Sequence, residues 1–355
     1  MKKITFILII LISLNPIFAQ QNSNLCSTFP NNIQNLYNEG NYIEITKTAP
    51  KLLKTCKFSK DDKQIIYKYL IPSLNALGFD SLARQYTLKL LKINPFYKFN
   101  PSADPLPLQN FLMQFVTYPR FTFGYTLGAN SLLVERQKIY TILDSMNYSF
   151  PYLSSPMFLT NAFLTLNISP HLGFGFASGI SYSNFRRFLT AYNFLDIIFT
   201  EKIFAVNANI YSIYSFTSLR KYHKLTPYIK LGFYTSINQH ITQDISIKIK
   251  NDSLYPNISI PSNKLEKSIE LPLDHRTKYR FGLLSAFGIN INFQKMNLFI
   301  EADYNHDLVL YNNPNERYDE LSPYYFYVDD DIILNQLSLF LGLSINFHYI
   351  VRKKF

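Results

Sequence analysis

The stretch QLSLFLGLSINFHY, residues 336–349, places Leu337, Leu339, Leu341, Leu343, Ile345, Phe347 and Tyr349 at every second position. Between them stand Gln336, Ser338, Gly342, Ser344, Asn346 and His348, with Phe340 the one apolar exception. A period of two keeps each series on its own face of a strand, so one face meets an apolar medium and the other meets small or polar groups. Fourteen residues is long for a strand in water. A strand crossing a bilayer needs about nine to eleven residues, and it must belong to a closed barrel because lipid cannot satisfy an open edge.

The pattern recurs seven times upstream. Phe121, Phe123, Tyr125 and Leu127 alternate with Thr122, Gly124, Thr126 and Gly128, and Ala162, Leu164, Leu166 and Ile168 with Asn161, Thr165 and Asn167. Leu172, Phe174, Phe176, Ile180 and Tyr182 oppose Gly173, Gly175, Ala177, Gly179 and Ser181, and a fourth run from Phe204 to Phe216 opposes Asn207, Asn209 and Ser215. Ile229, Leu231 and Phe233 flank Lys230 and Gly232. Phe281, Leu283, Phe287 and Ile289 oppose Arg280, Gly282, Gly288 and Asn290, and Leu298, Ile300, Ala302 and Tyr304 oppose Asn297, Glu301, Asp303 and Asn305. The expected fold is therefore an all-β membrane barrel of eight antiparallel, up-and-down strands over residues 118–355. Its connections alternate short and long. Residues 169–170, 217–225 and 294–295 read as turns, whereas 131–157, 185–200, 238–277 and 307–333 read as long loops. Outer-membrane barrels pair short periplasmic turns with longer external loops, which places both ends of this barrel in the periplasm.

Residues 1–19 read as a signal peptide: Lys2 and Lys3 precede a short apolar run, and Ala19 offers a small residue for cleavage. Cys26 lacks the small preceding residues of a lipidation site. No later segment reaches about 18 consecutive apolar residues, so no helical span is expected. The 31 Phe and 27 Tyr, with no Trp, suit the aromatic girdles of a barrel, although an AT-rich genome favours the same residues. The net charge of +11 falls to +9 without Lys2 and Lys3. In an exported barrel this excess points to lipid phosphates or solvated loops, not to nucleic acid.

Residues 20–95 have helical spacing in four segments, hence two hairpins. The second resembles a tetratricopeptide unit, with Gly78, Ala83 and Pro95 at that motif's mutual offsets, and Gly40 would be the matching turn 38 residues earlier. A plain helical bundle fits the spacing too. Cys26 and Cys56, the only cysteines, flank one hairpin and are expected to form a disulfide in an oxidising compartment. Pro95, Pro101, Pro105 and Pro107 predict a stiff connector over residues 96–117, with a short helix from Leu108 to Val116.

Candidate chemistry is sparse. Arg120, Lys230, Arg280, Glu301 and Asp303 fall on the inward face, where an eight-stranded barrel has room only for side chains; they read as a self-satisfying charge cluster, with an ion or proton path as the alternative. Asp303, His306 and Asp307 superficially resemble a hydrolase site, but Asp303 and His306 point to opposite faces and no serine accompanies them. Asp329, Asp330 and Asp331 are either a solvated acidic loop or a calcium site. The expectation is no catalytic residue, no metal and no cofactor.

The segments Thr226-Pro227-Tyr228-Ile229-Lys230-Leu231-Gly232, Arg280-Phe281-Gly282, Gly288-Ile289-Asn290-Ile291 and Phe299-Ile300-Glu301-Ala302-Asp303-Tyr304 resemble the PorT-like outer-membrane β-barrel domain family over about residues 118–355. Glu301 and Tyr304 fit its E-x-x-Y strand, while its G-x-G-[IL] strand keeps only Gly288. The resemblance implies an outer-membrane barrel, with named members linked to secretion, and carries over no catalytic residue. The whole chain then reads as a non-enzymatic outer-membrane protein whose barrel anchors a periplasmic helical module for a protein partner, as an accessory of secretion or assembly. A surface-binding protein acting through its third long loop, where Ile245, Ile247 and Ile249 alternate with polar residues, is the alternative; a transporter ranks third.

Overall fold

The computed structural model describes residues 15–140, 152–191, 195–216, 225–249, 266–316 and 328–354. The chain divides into two compact units, residues 119–348 and residues 1–118 with 349–355. Most of the expected leader lies outside the described residues.

The helical unit contains α1 (Asn15–Asn38), α2 (Tyr42–Thr55), α3 (Lys60–Ala76), α4 (Asp80–Ile93) and α5 (Leu106–Leu112). Local chemistry explains its boundaries. The α1–α2 and α3–α4 turns each use a glycine in the left-handed region, Gly40 at φ 75° and Gly78 at φ 78°, a conformation that a Cβ disfavours. Ser59 starts α3 with a capping box, its hydroxyl accepting from the Asp62 amide at 3.0 Å while Asp62 accepts from the Ser59 amide at 3.3 Å. Ile33, Ile45, Ala49, Ile66, Leu70, Ala83 and Leu90 form the buried core. The Pro-rich connector departs from expectation. It packs on the helices instead of standing off them, with Leu108 and Phe111 buried in the same core and Lys68 paired to Asp104 at 3.0 Å. The expected helix over 108–116 is α5, which ends earlier because Phe115 already lies in a strand.

Cys26 and Cys56 are joined, with Cα atoms 5.8 Å apart and a sequence separation of 30. Closing a loop of this length stabilises by about 3 to 4 kcal/mol through the unfolded chain. Non-reducing peptide mapping of the exported protein should recover the linked peptides. Cys26→Ser with Cys56→Ser should increase hydrogen exchange in α1 and α2 without changing ring assembly, and two free thiols in the oxidised protein would contradict the pairing.

The second unit is a sheet closed on itself. Its main strands are β1 (Phe115–Lys138), β3 (Met157–Asn167), β4 (Leu172–Ala191), β5 (Leu195–Ser215), β6 (Leu225–Ile249), β8 (Tyr279–Phe293), β9 (Met296–Asp307) and β10 (Asp331–Lys353), with short β2 (Tyr152–Leu153) and β7 (Glu266–Glu270) added to β4 and β6. The order β4-β3-β1-β10-β9-β8-β6-β5 closes through a β4–β5 pairing into a ring of eight strands. The strand pairings are antiparallel, and β10 pairs with β9 from Gln336↔Asn305 to Ile345↔Met296.

Sidedness is the reverse of a water-soluble core. Leu341 is 63% exposed, Leu339 60%, Phe233 67% and Ile210 66%, while inward Ser338, Ser344, Asn207, Lys230 and Glu301 are buried. Period-two alternation puts Leu337, Leu339, Leu341, Leu343, Ile345 and Phe347 on the outside and Phe340 inside, whereas Tyr349, past the positive φ of 54° at His348, packs on Phe96 of the helical unit.

Several strands run far beyond the expected loops' starts. Residues 131–138 continue β1, 185–191 and 195–200 complete a β4–β5 hairpin, and 238–249 continue β6. The reason is a change of sides within the same strands. On β5 the inward series changes from Asn209 and Asn207 to buried Ile203, Phe199 and Ile197, with Glu201 the one charged residue among them, while the outward series changes from Ile210, Val206 and Phe204 to Lys202 and Thr200. A register shift at Phe204/Ala205 against β6 marks the switch. Beyond it, Leu132, Phe185, Ile203, Ile241, Leu271, Tyr311, Ile332 and Leu334 form an ordinary buried core, of the kind water produces. The alternation of Ile245 and Ile247 belongs to β6, which pairs with β7 from Thr242↔Glu270 to Ser246↔Glu266.

Candidate functional site

The interior of the ring is the candidate site, and pairs of glycine and aromatic residues set its contents. Gly124, Gly175, Gly288 and Gly342 lie directly across the strand pairing from Phe163, Tyr211, Tyr228 and Phe299, respectively. Each ring occupies the space that a Cβ on its glycine would need. The inward glycines are thus places where a neighbour's ring lies flat across the lumen, not merely small residues. Phe163 and Phe299 meet edge to face at 5.6 Å, and Tyr228 lies 6.4 Å from Phe299.

Among these rings sits the central ion pair. Lys230 Nζ lies 2.7 and 2.6 Å from the two Glu301 oxygens, and Tyr228 Oη donates to Glu301 at 2.5 Å. Lys230 Nζ is also 4.7 Å from the Tyr211 ring centre and 5.5 Å from that of Phe163, a cation–π environment. Lys230 on β6 is paired to Ala286 on β8, which is paired to Asp303 on β9. Lys230, Glu301 and Asp303 therefore share one layer.

The other two members of the predicted cluster lie elsewhere. Arg280 is buried nearer the long connections, donating to Asp307 at 2.6 Å and to the Leu334 carbonyl at 2.9 Å. Arg120 is exposed with its guanidinium 5.6 Å from the Phe121 ring. Alternation assigns it inward, but it stands just before Phe121, where pairing with β3 begins, and its side chain is not enclosed. Toward the short turns the lumen is closed by amides and hydroxyls: Asn167 donates to Thr122, Thr122 to Asn346, and Asn346 to Asn297. His306 stacks on Tyr304 on the outer face, away from inward Asp303 and Asp307.

At the loop end a second charged layer appears that sequence reasoning missed. Arg276 donates through Nε and Nη2 to Glu201, each at 3.0 Å, and through Nη1 to Asp329 at 2.5 Å. Tyr311 donates to Glu201 as well. Asp330 is ion-paired with Arg187 at 3.3 Å and Arg136 at 3.4 Å and accepts a hydrogen bond from the Tyr152 hydroxyl at 3.2 Å. Burial pushes the phenols of Tyr152 and Tyr311 above their ordinary value, keeping both as neutral donors. Asp329 and Asp330 are buried at 7% and 2% exposure. Their run is neither a solvated loop nor a calcium site, because arginines from β1, β4 and the segment before β8 already neutralise it. A sequence signal existed: four arginines, Arg136, Arg187, Arg276 and Arg280, stand near the loop ends of strands. Nothing local told which acid each would meet. Among the described residues no group of three or more His, Cys, Asp or Glu could hold a metal ion.

The ring with its filled lumen and apolar exterior can be set beside known proteins. The sequence matches no family model and no curated protein. Solved structures similar to it include Neisserial surface protein A, at 12% identity over 65% of this chain and 99% of that one, with a TM-score of 0.30. The outer membrane protein OprG from Pseudomonas aeruginosa is similar at 10% identity over 65% and 98%, with a TM-score of 0.36. The N-terminal β-barrel domain of OprF from the same organism is similar at 10% identity over 64% and 98%, with a TM-score of 0.28.

Proposed function

We propose that this chain is a non-enzymatic integral outer-membrane protein, an eight-stranded up-and-down barrel that anchors a periplasmic helical protein-binding module. The observation that carries the reading is the switch of sides within β5 and β6. An apolar exterior over a polar interior is what hydrocarbon imposes, and farther on the same strands turn Ile203, Phe199, Ile241 and Ile245 inward, around buried Glu201 and Gln243, and carry Lys202 and Asp244 outside. The lumen supports an anchoring role over a transport role. Buried rings, the Lys230–Glu301 pair and the polar girdle occupy it.

The helical unit is the natural binding element in this reading. Tetratricopeptide-like hairpins repeat a turn, and Gly40 and Gly78 repeat the same backbone conformation. Ile43, Phe79 and Leu82, next to those turns, are large apolar residues left exposed, which suits contact with a protein partner. The PorT-like resemblance makes secretion or assembly the process served. A surface-binding role is the second reading, favoured by the separate core and arginine layer at the loop end.

Two deletions distinguish the readings. Removing residues 24–112 takes away the helical unit with its connector, and removing 250–265 shortens one loop without cutting into β6 or β7. The first deletion should leave a heat-modifiable barrel in the membrane fraction but abolish partner recovery after in vivo crosslinking and reproduce the null phenotype; the second should be nearly silent. A null phenotype confined to the loop deletion would overturn the periplasmic reading.

A further inference from the structure

The helical unit has one markedly cationic end. Lys51 and Lys54 lie in the last turns of α2, Lys57 follows it, Lys60 opens α3, and Lys89 and Lys92 lie in the last turns of α4; all six are exposed. The short α2–α3 connection places the first four together, and Asn94 Nδ2 donates to Gln64 Oε1 at 2.8 Å, bringing the end of α4 to the start of α3. Asp61 and Asp62 are the only acids on these turns, and Asp62 is engaged at the Ser59 cap. The opposite end, at Gly40 and Gly78, instead carries Glu39, Glu44 and Asp80.

Within this unit, the cationic end is also where the strand segments are attached. Thr117 donates to the Pro95 carbonyl at 2.9 Å, just past α4, and the Phe96 ring packs edge-on against Tyr349 at 4.8 Å. The Lys354 amide donates to the Gln114 carbonyl at 2.8 Å beside exposed Met113. Three residues beyond Tyr118 the sequence reaches Phe121, the first residue of the apolar face.

We propose that this lysine end is a phospholipid-binding face, seated on anionic headgroups of the membrane leaflet next to the helical unit. Several lysines presented together within a Debye length of about 8 to 10 Å attract an anionic bilayer surface. Helix C-termini bring partial negative charge, which six exposed lysines exceed. A seat on lipid leaves the opposite end, with Ile43, Phe79 and Leu82, free for the protein partner. The inference rests on the outer-membrane reading above.

The test uses the full-length protein in bilayers of phosphatidylcholine alone or with one-third phosphatidylglycerol, with amine-reactive labelling of each lysine read by mass spectrometry. In the phosphatidylglycerol bilayers Lys51, Lys54, Lys57, Lys60 and Lys92 should label roughly five-fold more slowly at low salt, and high salt should restore the rate; Lys47, toward the other end, should not change. Lys54→Glu with Lys57→Glu should cancel the protection of the remaining lysines. Equal rates in both lipids, with a heat-modifiable ring in each, would overturn the lipid face and leave the outer-membrane reading standing, as would salt-insensitive protection in phosphatidylcholine alone. A chain that never becomes heat-modifiable in either bilayer would remove both.

Discussion

Lys230→Met should cost the ring about 3 to 5 kcal/mol, because it leaves Glu301 and Asp303 facing each other in a buried layer without a cation. The lysine is only 7% exposed and Glu301 3%, so water cannot replace the lost partner. The amine also sits over the Tyr211 and Phe163 rings, and methionine keeps most of that packing. The measured loss therefore reports charge more than shape. Urea titration of the heat-modifiable band in lipid vesicles would give the difference. Lys230→Met combined with Glu301→Leu should recover about half of the loss, since it removes one of the two carboxylates left without a cation and leaves only Asp303. If the double variant were no more stable than the single one, the pair would matter as packing and the electrostatic account of this layer would fail.

Leu341→Arg should cost about 2 to 4 kcal/mol, whereas Phe347→Arg on the same face should cost about 0 to 1, because an arginine's penalty on a lipid-facing strand depends on depth. Leu341 is at the middle of the apolar series and is 63% exposed, so no protein contact explains a large loss there. Phe347 is near the end of the series, 5.6 Å from the Phe121 ring. The contrast is specific to a membrane: on a surface facing water, Leu341→Arg would be neutral or favourable. The same urea titration measures both, and equal effects at the two positions would refute either the bilayer or the register assigned to β10.

The long strands were legible for a reason of scale. Every β10 side chain from Leu337 to Phe347 sees either the apolar exterior or the lumen, so two environments imposed two alternating residue classes. Residues 185–191, 195–200 and 238–249 are strands where loops are expected, because the strand period continues there while the apolar side exchanges faces; the outward apolar series stops at Phe204 and Ile237. The connector was misjudged for the opposite reason. Its prolines signal stiffness, but Leu108 and Phe111 had a core to enter, and burial outweighed extension.

What the sequence determined by itself was whatever depends on period and local backbone chemistry: eight alternating strands, the helix turns at Gly40 and Gly78, the Ser59 cap, and a pair of cysteines with no other partners. Tertiary structure decided whatever depends on which strands become neighbours. Lys230 finds Glu301 from 71 residues away, and Arg276 finds Glu201 from 75. Asp329 is buried under an arginine and not solvated, and Arg120 falls outside the cluster its alternation suggested. Alternation gives the face a side chain points to, but the register and shear of a closed ring set its height in the lumen. That height alone decides which charges come within hydrogen-bonding distance.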